Sequence, residues 1–217
     1  MVNPSAVPGF RVEAPTPERR DPSATRAAII SAARGSLLED GYARLSTRRV
    51  AELANVPLSQ IHYHFGSKRQ LILAVLDAEN ARLLERQREM FDEPQPLWVR
   101  WERACDFLDV DIESGYVRIL QEMIAAGWSD PEVAGAVRAM MAGWYGLLED
   151  VAQREAERGA DFGEFTPGEI AALMGTPFIG AEELILLGVT EDSLPLRSAL
   201  RKVGKLLRQI SEGTVTA

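Results

Sequence analysis

Residues 45–71, LSTRRVAELANVPLSQIHYHFGSKRQL, have the pattern of two short helices joined by a tight turn and followed by the start of a long helix. On the first short helix, Val50 and Ala51 lie at the spacing of a buried helical face, and Ile61 and Phe65 do so on the second. We therefore predict a helix-turn-helix unit here, continued directly by a third helix.

The turn between the two short helices is predicted at residues 54–57, ANVP. Asparagine tolerates the left-handed backbone conformation that such a turn usually needs, so Asn55 suits this position. Pro57 fits the first position of the second helix, where its missing N–H costs nothing.

The outward face of the second short helix consists of side chains that can donate or accept hydrogen bonds, stack on rings or contact a methyl group. None of them carries a carboxylate. This face consists of Leu58, Ser59, Gln60, His62, Tyr63 and His64. It is the surface expected of a helix that lies in the major groove of DNA.

The same stretch contains the pattern A-x-V-x-x-x-x-I-x-Y-H-F-x-S-K-x-x-L, which resembles the signature of TetR-type one-component transcriptional regulators. The matching residues are Ala54, Val56, Ile61, Tyr63, His64, Phe65, Ser67, Lys68 and Leu71, with Thr47, Val50 and Ala51 before them. The resemblance in sequence covers only residues 22–75. It implies an all-α fold of about nine helices, with an N-terminal three-helix DNA-binding domain and a C-terminal helical ligand-binding and dimerisation domain.

The resemblance also implies how the unit would dock on DNA. Thr47 would donate a hydrogen bond to a phosphate, and Arg48 would reach a phosphate or a guanine edge. Lys68, at the start of the long helix, suits a phosphate. Tyr63 and His64 match positions that the family uses mainly against the DNA backbone.

Four residues of the outward face are candidates for contacts with bases. The amide of Gln60 can pair with N6 and N7 of adenine, which makes it the best candidate for reading a base. Ser59 and His62 could add weaker base contacts, and Leu58 could touch a thymine methyl group.

The chain departs from the family pattern at three positions. Asn55 stands where the family most often has glycine, Pro57 where a capping serine or threonine is common, and His62 where tyrosine is frequent. None of these changes breaks the fold, but with Ser59 and Leu58 they leave the preferred operator sequence open.

The charge of the chain is distributed unevenly. Residues 18–70 contain nine Lys and Arg against five Asp and Glu, a net of +4, whereas the whole chain carries −8. An acidic protein with a basic N-terminal segment fits DNA binding that is confined to that segment. The alternative reading, an ordinary uneven surface, would be preferred without the motif.

Composition argues against several other classes of protein. Cys105 is the only cysteine, which excludes an internal disulfide framework and suits a reducing cytoplasm. No apolar run approaches the roughly 20 residues that span a bilayer, and the N-terminus lacks a hydrophobic signal core. We expect a soluble cytoplasmic protein that has no membrane partner.

Catalytic and metal sites are not expected. The only two histidines, His62 and His64, are two residues apart and no cysteine is near them, so a metal site is not predicted. We find no Ser/His/Asp set and no Gly-rich phosphate loop, and the C-terminal region has no histidine for acid–base work. We therefore predict a protein that is not an enzyme and needs no cofactor.

Three regions are predicted: residues 1–21 as a flexible arm, residues 22–70 as the helix-turn-helix DNA-binding domain, and residues 71–217 as the ligand-binding and dimerisation domain. In the arm, Arg11, Arg19 and Arg20 could reach the minor groove or the phosphates of DNA, although a disordered tail with incidental charge is the favoured explanation.

Capping signals predict where several helices begin and end. Asp21 and Pro22 should start the first helix, and Gly41 should end it. Ser67 and Gln70 predict a capping box for a long helix that continues to about Asp92. Five further helices are expected at residues 97–113, 115–127, 130–159, 166–188 and 193–211, the fourth with a second capping box.

All four tryptophans lie in the C-terminal region. With neighbouring phenylalanine and methionine side chains they could line an adaptable apolar pocket for a hydrophobic or amphipathic effector. The candidates are Trp98, Trp101, Phe107, Met123, Trp128, Met140, Trp144 and Phe178. For any one of these residues core packing is the favoured explanation, and the pocket is inferred from the set. Three acids, Glu102, Asp106 and Glu122, could contact a cationic ligand or lie on solvated faces.

The last two helices are the predicted dimer surface, because the helix at 166–188 is apolar nearly all round and must be covered on more than one side. The candidate interface residues are Leu173, Phe178, Ile179, Leu184, Leu187, Leu200, Val203 and Leu207. Paired with their copies, the two helices would form a four-helix bundle. The alternative is burial within one monomer.

The leading hypothesis is a homodimeric transcriptional regulator, a ligand-responsive repressor that binds a palindromic operator in double-stranded DNA. The rival from another class, an enzyme, has no supporting constellation. A third hypothesis is a DNA-binding dimer without an effector, whose C-terminal region serves only dimerisation or protein contacts.

Overall fold

The computed structural model describes residues 21–211, and in this range the chain forms nine α-helices and no strand. Their bounds are α1 Pro22–Arg44, α2 Thr47–Leu53, α3 Leu58–Phe65, α4 Lys68–Asp92, α5 Leu97–Ser114, α6 Tyr116–Gly127, α7 Pro131–Glu157, α8 Pro167–Leu186 and α9 Leu196–Ser211. The prediction of an all-α fold is confirmed. The arm predicted at residues 1–21 lies outside the described residues except for Asp21.

The first helix begins as its sequence predicts, with the Asp21 carboxylate accepting a hydrogen bond from the backbone N–H of Ser23 and Pro22 as first residue. Gly41 interrupts the helix rather than ending it. Its φ of 74° makes a kink, after which one more helical turn continues to Arg44. Glycine tolerates this left-handed conformation because it has no Cβ.

The turn of the helix-turn-helix unit has the predicted geometry, with Asn55 at a φ of 51°. Pro57 differs from the prediction by one residue: it is the N-cap, with a ψ of 145°, and α3 begins at Leu58. A proline at the cap leaves no N–H unpaired, so the shift costs no hydrogen bond.

Of the two predicted capping boxes, one is complete. Thr166 and Glu169 exchange both hydrogen bonds at the start of α8. At α4, Ser67 accepts from the backbone of Gln70 at 3.1 Å, but the Gln70 side chain donates to Glu132 instead of returning to the cap. The Gln70 side chain therefore bonds to Glu132, 62 residues away, and the predicted capping box is only half formed.

The hydrophobic core runs without a break from the helix-turn-helix unit into the C-terminal helices. Ile29, Ile61, Leu71, Met123 and Val133, from five different helices, belong to one buried cluster and are each completely inaccessible to solvent. A second cluster joins α5, α8 and α9. The predicted division at residue 70 therefore falls within a shared core, and it remains a prediction.

Helix α8 continues as one helix through Pro177, which lies inside it. The final helix begins at Leu196 instead of residue 193, after a turn in which Ser193 and Leu194 donate backbone hydrogen bonds to the Thr190 carbonyl. Within residues 21–211, none of the helices has the length and hydropathy needed to span a lipid bilayer.

Candidate DNA-binding surface and ligand cavity

The outward face of α3 consists of polar and aromatic side chains, and α3 contains no carboxylate. Ser59, His62 and Tyr63 are exposed, Tyr63 to 78%, while Gln60 and His64 are half-buried. The Tyr63 and His64 rings meet edge to face with their centroids 5.0 Å apart. The helix therefore presents hydrogen-bonding groups on a surface free of negative side chains, as base reading requires.

Not all of the predicted contact residues are equally accessible. Leu58 is half-buried and packs partly against the core. Thr47, the first residue of α2, is half-buried, whereas Arg48 is exposed. Sequence reasoning passed over Arg49, which is also exposed and lies 3.8 Å from Glu52. Its position beside Arg48 was the available signal.

Lys68 stands at the N-terminus of α4 but folds back onto the end of α1. Its Nζ donates to the carbonyl of Ala43 at 3.3 Å and lies 5.4 Å from the centre of the Tyr42 ring. Partial burial lowers the pKa of Lys68 from its ordinary value. The lysine thus places its charge at the junction of α1 and α4, beside α3.

Polar contacts join the DNA-binding unit to the helices behind it. At the kink in α1, the backbone N–H of Tyr42 donates to Glu122 of α6 at 2.9 Å. Arg69 of α4 lies 2.7 Å from Asp130 and 2.6 Å from Glu132, where α7 begins. A displacement of α6 or of the start of α7 would therefore act directly on the DNA-binding unit.

A cavity of about 50 Å³ lies among α4, α5, α6, α7 and α8. Five of the eight predicted ligand residues line it: Trp101, Phe107, Met140, Trp144 and Phe178. The other three do not. Met123 is fully buried in the core beside the DNA-binding unit, Trp128 is 82% exposed, and the Trp98 ring lies under the guanidinium of Arg208 at 5.2 Å.

One wall of this cavity is polar, and sequence reasoning missed it. It includes Asn80, Gln87, Asp111, Tyr116 and Glu182, from four helices. The available signal was Glu182 itself, a charged residue within the apolar stretch of α8. The three acids considered from the sequence, Glu102, Asp106 and Glu122, are absent from the lining.

The two acids of the wall differ in their partners. Asp111 accepts from one nitrogen of Arg86 with both oxygens, each at 2.7 Å. Oε2 of Glu182 is buried and has no hydrogen-bond partner among the described residues. Burial, and the charge of Asp111, raise the pKa of Glu182 to about 8. A carboxyl that is buried without a cation holds its proton in this way.

The predicted dimer residues separate into three groups. Leu173 and Leu187 are 54% and 74% exposed. Phe178, Leu200 and Leu207 are buried within the protomer, where they form a cluster with Trp101. These three side chains belong to the protomer's own core, and the dimer interface itself remains a prediction. The remaining members, Ile179, Leu184 and Val203, are half-buried.

Residues 29–75 match the family model of bacterial regulatory proteins of the tetR family. The chain is 41% identical over 75 residues to the HTH-type transcriptional regulator TtgR of Pseudomonas putida, a match covering 34% of this chain and 36% of TtgR. The match thus spans about a third of that relative's length. This chain is also 24% identical over 202 residues to the HTH-type transcriptional regulator UidR of Escherichia coli, and that match covers 89% of this chain and 94% of UidR.

Solved structures share the fold. The transcriptional regulator FadR of Bacillus subtilis, solved in complex with stearoyl-CoA, superimposes with a TM-score of 0.68 at 16% identity, over 83% of this chain and 96% of FadR. The resemblance to the TetR family that the motif indicated is confirmed, both in the matched domain and in the TetR-type fold.

Proposed function

The chain carries a DNA-binding domain of the tetR family on a TetR-type fold, and from this premise we propose that it is a ligand-responsive repressor that binds a palindromic operator as a homodimer. The observation that supports DNA reading most directly is the face of α3, which exposes Ser59, His62 and Tyr63 and carries no carboxylate. In a dimer, two such helices would enter major grooves about one helical turn, roughly 34 Å, apart.

Ligand response is supported by the position of the cavity. Tyr116 and Leu120 of α6 line it, and the same helix holds the kink of α1 through Glu122. A space of about 50 Å³ accommodates only a few water molecules, so a larger ligand must part the helices around it. A ligand that prefers parted helices would shift the spacing of the two α3 helices and release DNA.

Titration of fluorescent duplexes by anisotropy tests the DNA-binding proposal. The duplexes come from the DNA beside the protein's own gene, with a scrambled duplex as control. Preference by about a thousandfold or more supports operator binding. Equal, weak and salt-sensitive binding to every duplex would contradict it.

Two substitutions test the docking. Gln60→Ala should lose roughly 1–3 kcal/mol of discrimination at one base pair. Lys68→Ala should weaken binding to all duplexes alike and reduce the salt slope by about one. Gln153→Ala, on the exposed surface of α7, is the control. Unchanged operator binding by both test variants would rule out this docking.

A second candidate is a DNA-binding dimer without a small-molecule effector. The small volume of the cavity favours it, since sites for drug-sized ligands occupy about 300–1,000 Å³. The two candidates differ in one measurement: only the first predicts a compound that binds the isolated protein and releases the operator.

A further inference from the structure

The polar wall of the cavity contains buried acceptor oxygens without donors. Oε2 of Glu182 and Oδ1 of Asn80 are both inaccessible to solvent and make no hydrogen bond to the described residues. Glu182 as a whole is only 9% exposed. Buried polar groups are nearly always paired, so unpaired oxygens on a cavity wall point to a donor that the protein itself does not supply.

The charges around this polar wall favour a cation as that donor. No lysine or arginine lines the cavity. Arg86, which interacts with the wall, pairs with Asp111 through one terminal nitrogen, and its guanidinium lies 4.3 Å from the centre of the Phe107 ring. Glu182 therefore lacks a countercharge of its own.

Aromatic rings form much of the remaining wall, among them Trp101, Phe107, Trp144 and Phe178. Ring faces attract cations, most strongly where water is excluded. The indole N–H of Trp144 donates to the side-chain oxygen of Gln87 at 2.7 Å, so this oxygen already has a partner. The oxygens of Glu182 and Asn80 are the acceptors that remain unpaired.

A second cavity of about 40 Å³ lies beside the first, and Phe91, Trp101, Leu148 and Met174 line both. Beyond these residues its lining is entirely apolar and includes Ala152, Phe162 and Ile170. The polar and acidic residues thus line the first cavity alone, and the second cavity is apolar. A polar cavity beside an apolar one matches the polarity of an amphiphile.

We propose that the effector is an amphiphilic monocation, with a positively charged nitrogen against Glu182 and Asn80 and an apolar body that extends toward the second cavity. This inference rests on the proposed ligand response and specifies its chemistry. The cation would convert Glu182 from a protonated acid into an ion-paired carboxylate, with its proton released to solvent.

The groups that face Glu182 determine how binding depends on pH. Asp111 raises the pKa of Glu182, Arg86 neutralises part of the charge of Asp111, and Tyr116 is held protonated by burial and by these acids. Because the pKa of Glu182 is about 8, cation affinity should rise with pH up to about 8 and level off above it.

Calorimetric titration with three eight-carbon probes tests the inference: octylammonium, whose N–H groups can donate to the two oxygens, 1-octanol and octyl sulfate, all below their aggregation concentrations. We expect the cation to bind at least about tenfold more tightly than the others, because a dry acid site favours positive charge. At pH 7, titrations in two buffers of different ionisation enthalpy should reveal proton release. Failure of the cation to bind, or equal binding of the three probes, would overturn the inference.

Glu182→Gln, which keeps the shape of the side chain, should reduce affinity for the cation about tenfold and abolish proton release while leaving 1-octanol unaffected. Glu113→Gln, the same change on an exposed position of α5, is the matched control. Unaltered cation binding by Glu182→Gln contradicts the assignment. Thermal unfolding of both variants verifies that they fold.

Operator binding is measured separately, so that the two proposals fail independently. Specific DNA binding without cation binding would refute only the effector chemistry. Cation binding that requires Glu182 but leaves operator affinity unchanged would support the site and refute its regulatory role.

Discussion

Glu182 should make the stability of the protein depend on pH in an unusual direction. Its pKa is raised from about 4.5 to about 8 by burial, so the folded protein holds this proton more tightly than the unfolded chain. The contribution of Glu182 to stability is therefore fully present below pH 4.5 and is lost as pH rises toward 8. Most buried carboxylates that are ion-paired behave in the opposite way.

Replacing Glu182 by glutamine should accordingly stabilise the protein at high pH. Near pH 9 we expect the melting temperature of Glu182→Gln to exceed that of the wild type by on the order of 5 °C or more, and the difference to vanish near pH 5. Thermal unfolding followed by circular dichroism across this range measures it. A constant difference at all pH values would mean that Glu182 does not titrate in this window.

The single thiol should be inert in the folded protein. Cys105 is 4% exposed, and burial raises its pKa to about 11. At pH 8 only roughly one thiol in a thousand would be ionised, and the thiolate is the reactive form. We expect a chromogenic disulfide reagent to label native protein at least about 100-fold more slowly than unfolded protein. Rapid labelling of native protein would instead point to an accessible, redox-sensitive cysteine.

At the scale of elements, Gly41 connects the kink in α1 to α6. A Cβ at this position would lie 2.9 Å from Oε1 of Glu122, and the φ of 74° is unfavourable for any side chain. We predict that Gly41→Ala destabilises the protein by about 1–3 kcal/mol and weakens operator binding, because the contact between the two helices must open.

Gly35 offers a matched control in the same helix. A Cβ there would meet no atom within 4 Å, and its backbone is helical. Gly35→Ala should be neutral or stabilise by roughly 0.5–1 kcal/mol, since alanine favours the helix. Chemical denaturation of both variants tests the pair. Equal effects of the two substitutions would show that the kink at Gly41 has no special role.

Helix positions could be predicted from sequence because the signals are local. Asp21, Asp130 and Thr166 cap helices through hydrogen bonds to residues two or three positions away, so the chain carries the information within one turn. Two predicted helix starts differ in detail. Pro57 is the N-cap of α3 and not its first residue, and the Gln70 side chain donates a hydrogen bond to the distant Glu132 instead of to its own helix cap.

The polar wall of the cavity could not be predicted in the same way. It depends on the relative rotation of four helices, which local patterns do not encode. In α8 almost every face is apolar, so the sequence does not distinguish the side of Phe178 from that of Leu173. The face of α8 that is buried is determined by packing at Gly175. A Cβ there would lie 2.7 Å from the Tyr145 ring, so α7 and α8 approach closely on that side.

At the scale of the whole molecule, the packing of one face of α8 against α7 leaves an apolar strip on α8 uncovered. Leu173, Gly180 and Leu187 follow one another at helical spacing; Leu173 is 54% and Leu187 74% exposed. A Cβ on Gly180 would meet nothing within 4 Å, so a second backbone could approach closely at this point. This strip is the surface on which we expect the two copies of the chain to meet.

Placing a charge on the strip should separate the dimer. Leu173→Asp would bury a carboxylate in each half of a symmetric interface, opposite its own copy or near it, at a cost of several kcal/mol. We expect sedimentation velocity to report a monomer for this variant at micromolar concentration, and a dimer for the wild type. Val110→Asp, at a position 49% exposed on α5, should remain dimeric because it lies off the strip.

Operator binding provides the functional consequence of the same change. A palindromic site gains its affinity from two linked α3 helices, so a monomer should bind a full operator no more tightly than a single half-site. The fold and exposed DNA-binding face of Leu173→Asp would be intact, since Leu173 packs in none of the buried clusters. If the variant were monomeric yet bound the full operator as tightly as the wild type, each chain would read DNA alone, and the proposed coupling between cavity and half-site spacing would have no basis.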